Sequence, residues 1–145
     1  MNNSSMSIID SKILREKIKD NSIRIVDVRR EQDYQLGHIT NAVNLPLAKL
    51  LADDSAESIQ KIAQDLGISD ETSVAIYDDT FGALSSRVVW ALQYIGHKDA
   101  KLLDVTFSQC KNLGYEISTE VPEIASATHS VKINPEIMAT TEYLE

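Results

Sequence analysis

Two adjacent carboxylates, Asp78 and Asp79, directly follow the run Val74-Ala75-Ile76-Tyr77 and precede Thr80-Phe81-Gly82. Carboxylates in such a loop suit Mg²⁺-assisted phosphoryl transfer or the capping of a turn or helix start. Phosphoryl transfer also needs a phosphate clamp, and no neighbouring residue supplies one. The other candidates for chemistry are few. Cys110 is the single cysteine, in the run Phe107-Ser108-Gln109-Cys110-Lys111, and is expected to be a buried, inert thiol. His38 and His97 each follow a glycine at a turn, where a hydrogen bond tying the turn to a neighbouring strand is the expected role, while His129 reads as solvated. Asp27 and Arg29 sit at a strand end, where an ion network forms readily and where open α/β sheets also bind ligands.

Strands and helices must position these residues. Ile23, Ile25, Val26 and Val28 form one β-branched run and Val74 to Tyr77 another, both read as buried parallel strands. Between them, Ile59, Ile62, Ala63 and Leu66 recur at helical spacing within 55–66, stopped by Gly67. Asp10 or Ser11 can cap a helix through Lys19 whose Ile13, Leu14 and Ile18 share a face. Its Lys12, Arg15, Lys17 and Lys19 are read as a solvated face. After the Asp78 loop, Leu84, Val88, Ala91, Leu92 and Ile95 predict a helix over 83–95, ended by Gly96. A short strand over 101–104, a helix over 106–113 and a strand over 116–118 complete the pattern. Strands alternating with helices of this length predict an α/β fold with a mostly parallel central sheet of about five strands and helices on both faces.

Composition narrows the function classes. With 145 residues, 43% hydrophobic and 25% charged, the chain suits one domain with a sizeable core. A formal net charge of −8 argues against nucleic acid and anionic membranes as partners. One cysteine leaves no disulfide framework, and no spacing fits a zinc site, so neither metal nor cofactor is expected. No apolar run approaches the roughly 20 residues of a membrane span, and a reducing cytoplasm is the expected setting.

From Ile25 the sequence reads IVDVRREQDYQLGHITNAVNLP, and it resembles the rhodanese domain. Asp27, Arg29, Glu31, Gly37, His38, Ile39, Ala42, Asn44 and Pro46 match that family's pattern in order and spacing. Tyr77, Arg87, Trp90, Leu92, Gly96, His97 and Asp104 extend the likeness, which covers Ile9 to Val121. The resemblance implies a flexible N-terminus over 1–8, a rhodanese-like domain over 9–121, and a tail or interdomain linker over 122–145. Within the family it is most like the first, non-catalytic domain of a two-domain thiosulfate sulfurtransferase.

Family chemistry uses a cysteine thiolate that attacks a sulfane sulfur, holds it as a persulfide and passes it to an acceptor. Here Asp78 stands at the nucleophile position, and the loop Asp78, Asp79, Thr80, Phe81, Gly82 is longer than the catalytic type, with no arginine before Arg87. The resemblance therefore implies that Asp78 plugs the anion cradle and that this segment is inactive alone. Asp27, Arg29, Glu31, Gly37, His38 and Arg87 are then structural. The implied partner is a C-terminal catalytic rhodanese domain of the same polypeptide. A stand-alone inactive docking or regulatory module is the alternative; a phosphatase of the cell-cycle type on this fold is excluded by Asp78 and the absent loop arginine.

Overall fold

The two runs expected to be buried strands lie side by side at the centre of the sheet. In the computed structural model, which describes residues 7–80 and 82–134, β2 (Arg24–Asp27) and β5 (Val74–Tyr77) pair in parallel, Val26 opposite Ile76. β6 (Ala100–Leu103) and β1 (Ile8–Ile9) add in parallel on one side and β4 (Val43–Asn44) on the other, giving the order β1-β6-β5-β2-β4. The expected five-stranded α/β sheet is what forms, and every pairing in it is parallel. β1 begins one residue before the domain boundary read from the sequence, and the Leu102 amide bonds the Ser7 carbonyl.

Both faces are covered because side chains alternate along each strand. Val74 and Ile76 point into a core with Leu50, Ile59, Ile62, Val88, Val89 and Leu92, while Ala75 and Tyr77 join Leu14, Tyr34, Phe107 and Cys110 on the other face. The first core is covered by α3 (Leu47–Ala52), α4 (Ala56–Asp65) and α5 (Ser85–Tyr94), the second by α1 (Ser11–Lys19), α2 (Glu31–Leu36) and α6 (Phe107–Asn112). Caps set the helix starts. Asp10 accepts from the Lys12 amide at 2.7 Å, Ser55 from the Ser58 amide at 3.2 Å, and Thr106 forms a capping box with Gln109. α2 and α3, six residues each, are helices the sequence pattern did not single out. The expected strand near 116–118 is β7 (Ile117–Ser118), but it pairs antiparallel with β3 (His38–Ile39) outside the main sheet.

The segment 121–134 forms no helix or strand, yet it is fastened to the domain. Ala127 donates to the Gln64 carbonyl at 2.9 Å, Lys132 to that of Ile95 at 2.8 Å and Asn134 to that of Tyr94 at 2.9 Å. His129 is only 1% exposed, which overturns its reading as a solvated tail residue. The cause is local: polar side chains interrupt periodicity, but carbonyls at the ends of α4 and α5 provide acceptors for an extended strap. Gly67 and Gly96, both at positive φ, end those helices and also leave room for it. A Cβ at Gly67 would lie 2.6 Å from Ile124, and one at Gly96 would lie 2.6 Å from the Lys132 carbonyl oxygen.

Candidate functional site

The C-terminal ends of β2 and β5 bring the two main sequence candidates, Asp27 and Asp78, onto one edge of the sheet, where open α/β folds place their sites. Asp78 follows β5 and is 2% exposed. Its carboxylate accepts five hydrogen bonds. Oδ1 takes the amides of Thr80 at 2.9 Å and Gly82 at 3.1 Å. Oδ2 takes the amides of Leu84 at 2.9 Å and Ser85 at 2.8 Å, with the Ser85 hydroxyl at 3.0 Å. The loop thus curls around its own first side chain and delivers the chain into α5. The helix N-terminus adds its positive end to the same carboxylate.

Burial alone would raise the Asp78 pKa, but the amides of Thr80, Ser85 and Gly82 and the Ser85 hydroxyl outweigh it and hold the pKa below the ordinary carboxylate value. A carboxylate so saturated is a poor base and offers no lone pair to a reacting group. Asp79 turns the other way. Its two oxygens accept from the Ser108 amide at 3.0 Å and the Ser108 hydroxyl at 2.9 Å, tying the loop to the start of α6, and the Phe107 amide bonds the Asp78 carbonyl at 2.9 Å. Thr80 and Gly82 contribute backbone donors, Gly82 at φ 95°. Phe81 lies outside the described residues.

The Asp27 cluster is built mainly from side chains, with one backbone donor, the Arg29 amide at 2.9 Å from Asp27 Oδ1. Arg29 meets the Asp27 carboxylate through Nε at 3.1 Å and Nη2 at 2.8 Å, and the Tyr77 hydroxyl donates to Asp27 Oδ2 at 2.5 Å. Arg29 also donates to the Gly37 carbonyl at 2.6 Å and stacks over Phe107 at 3.8 Å. Tyr77, buried beside this carboxylate, has its pKa raised by desolvation first and by the Asp27 charge second. Asn44 donates to the carbonyls of Asp27 and Arg29, both at 2.9 Å. His38 is fully buried, its Nδ1 2.8 Å from the Tyr34 carbonyl and its Nε2 2.7 Å from the Glu120 carbonyl, so it bridges α2 to the chain after β7. Glu31 is an exposed residue opening α2, and Arg87 is exposed on α5 and absent from the donors around Asp78.

Cys110 is fully buried on α6, and burial, with the charges of Asp104 and Asp79, pushes its thiol up to about 12. It is therefore a thiol rather than a thiolate at neutral pH. Among the described residues no group of three His, Cys, Asp or Glu side chains could hold a metal ion, and no helix is long and apolar enough to cross a membrane. Ser85, Ser108 and Tyr77 are site residues whose contacts the sequence pattern did not reveal. Tyr77 carried a signal only as part of the family-like pattern, and Ser85 as a hydroxyl residue near a helix start.

A Rhodanese-like domain family model matches residues 10–112. The chain is 26% identical over 138 residues to the sulfur carrier protein TtuD of Thermus thermophilus, covering 89% of this chain and 48% of that protein. It is 24% identical over 131 residues to a thiosulfate sulfurtransferase of Corynebacterium glutamicum, covering 86% of this chain and 44% of that protein. The chain thus spans less than half the length of either relative. The crystal structure of the 3-mercaptopyruvate sulfotransferase SseA of Escherichia coli superposes with a TM-score of 0.79 at 20% identity, over 91% of this chain and 57% of that one. The corresponding sulfurtransferase of Leishmania major gives 0.75 at 21% identity, over 89% and 42%.

Proposed function

Since this chain belongs to the rhodanese-like domain family, we propose that it is a non-catalytic N-terminal rhodanese domain of a thiosulfate sulfurtransferase whose persulfide-forming cysteine lies in a second, C-terminal domain of the same polypeptide. The observation that carries this reading is the state of Asp78. Its carboxylate takes four backbone amides and one hydroxyl. Such a ring of donors suits an anion, and here a side chain of the loop itself occupies it. A carboxylate cannot form a persulfide, and Cys110, the only thiol, is buried with its pKa pushed up to about 12. The domain's contribution is then structural: a scaffold beside the catalytic partner, with Glu31, Gly37, His38 and Arg87 in that frame and the strap from residue 122 as the start of the connection. No metal or cofactor enters this reading.

The test is thiosulfate:cyanide turnover by the purified chain. The expected result is no thiocyanate above a heat-killed control, both for the wild type and for Cys110→Ser. Turnover by the wild type would overturn the assignment, and its loss in Cys110→Ser with folding intact would identify the nucleophile as Cys110.

A further inference from the structure

Outside the Asp78 and Asp27 sites, one buried cluster of titratable groups is used by neither. His97, just after the turn that ends α5, and His129, in the strap, are 3% and 1% exposed and face each other, His97 Nδ1 to His129 Nε2 at 2.8 Å. The outer nitrogens face carbonyl oxygens: His97 Nε2 lies 2.8 Å from the Thr72 oxygen and His129 Nδ1 2.6 Å from the Ser130 oxygen. A carbonyl oxygen only accepts, so each outer nitrogen must carry a proton, and the gap between the rings needs a third. Two neutral imidazoles carry two protons between them. The three contacts are all satisfied only when the pair holds one proton more.

We propose that the His97–His129 pair is a proton-binding latch, in which one added proton shared by the two rings fastens residues 127–134 to the domain and its loss loosens them.

The surroundings suit a single positive charge. Asp70, on the loop between α4 and β5, lies 3.5 Å from His129 Nδ1, and it accepts from the Ser130 hydroxyl at 2.7 Å. Asp99, near His97, is already engaged by Lys101 and by the Ser73 hydroxyl. From α4, the neutral Gln60 and Gln64 bond the His129 backbone at 2.6 and 3.1 Å, while Lys61 and Asp65 pair with each other. Lys98 and Lys132 are exposed. Burial, only partly offset by the Thr72 bond, holds the His97 pKa below the ordinary imidazole value. The carboxylate of Asp70 is the anion beside a charge shared by the two rings.

The sign follows by linkage. The fastened form binds one proton that the loosened form gives up as pH rises through the imidazole range, so fastening weakens by up to tenfold per pH unit there. A second added proton would have to enter the 2.8 Å gap between the rings, which already holds one, so strongly acidic conditions also weaken it. Hydrogen exchange on the full 145-residue chain reads this at the Ala127 and Lys132 amides, corrected for the intrinsic pH dependence of exchange. Protection there is expected to pass through a maximum and fall toward alkaline pH, while the β5 amides hold constant as the control for global folding. A flat profile in the wild type overturns the latch. In His129→Gln the alkaline fall is expected to vanish; its persistence overturns the latch equally. Should that variant free the strap entirely, nitrogen NMR of the wild-type imidazoles decides independently. Three protonated ring nitrogens across the two residues are expected at the protection maximum, and two would refute the proposal.

Discussion

Asp27 ends β2 and Asp78 follows the neighbouring parallel β5; they are 0% and 2% exposed and both saturated with donors, yet the donors differ in kind. Asp27 is met chiefly by a cation and a phenol, Arg29 and Tyr77, with a single backbone amide, that of Arg29. Asp78 is met by backbone amides and one serine, with no cation among its donors. The first arrangement is mainly a side-chain ion network in which a cation faces the carboxylate. The second is a property of how the loop curls, its donors being mostly backbone amides aimed at one carboxylate. The loop at Asp78 therefore depends on something negative remaining in its ring of amides.

The largest difference should appear when the cation is removed. Arg29→Ala strands the Asp27 charge in the core and also deletes the bond to the Gly37 carbonyl and the stack on Phe107. Breaking a buried pair from one side costs about 3–5 kcal/mol. A loss of that size in the unfolding free energy, read from urea melts, is the expected outcome. A loss under about 1 kcal/mol would mean that the Asp27 site, too, is held by its hydrogen bonds and not by charge, and the contrast between the two sites would collapse.

At Asp78 the corresponding operation is removal of the anion. Asp78→Ala leaves four amides facing an apolar gap and should cost about 3 kcal/mol, within the range for buried donors left without a partner. Asp78→Asn should cost about 2 kcal/mol, because the amide nitrogen must face one pair of donors. The pH dependence separates charge from shape. The folded-state pKa of Asp78 is lowered, so its stabilisation is fully present above the ordinary carboxylate value and is lost as pH falls through the lowered folded value. The stability gap between wild type and Asp78→Asn should accordingly hold from pH 7 down to the ordinary carboxylate value and narrow below it, measured by denaturant melts at each pH. A gap that stays constant would show that the loop does not select the charged form.

The same contrast explains what could be read from the chain. Asp27 and Arg29 announce themselves as opposite charges two apart at a strand end, and their pairing was legible. The ring around Asp78 was not, because its donors are the amides of Thr80, Gly82, Leu84 and Ser85, and every residue except proline carries such a group. Long periodic elements such as α1, α4 and α5 were visible through their apolar faces and glycine stops. α2 and α3 were not, since six residues span under two turns and give periodicity too little room. His129 misled for a related reason: its burial comes from carbonyls at two helix ends and from His97, partners distant in sequence that no local pattern around residue 129 records.

The smallest and sharpest probe is Ser85→Ala. It removes one donor of five, the hydroxyl 3.0 Å from Asp78 Oδ2, and leaves the Ser85 amide and the other three backbone donors in place. If the backbone carries the site, the loss is that of a single hydrogen bond, about 1 kcal/mol, and the pH dependence assigned to Asp78 is retained. Ser85 is itself 1% exposed, so the hydroxyl has no solvent to fall back on and the measured value reports the bond. A loss as large as that of Asp78→Ala would shift the weight from the amides to the hydroxyl. The loop would then be a pocket made by a particular side chain, and an anion held there would depend on Ser85 much as Asp27 depends on Arg29.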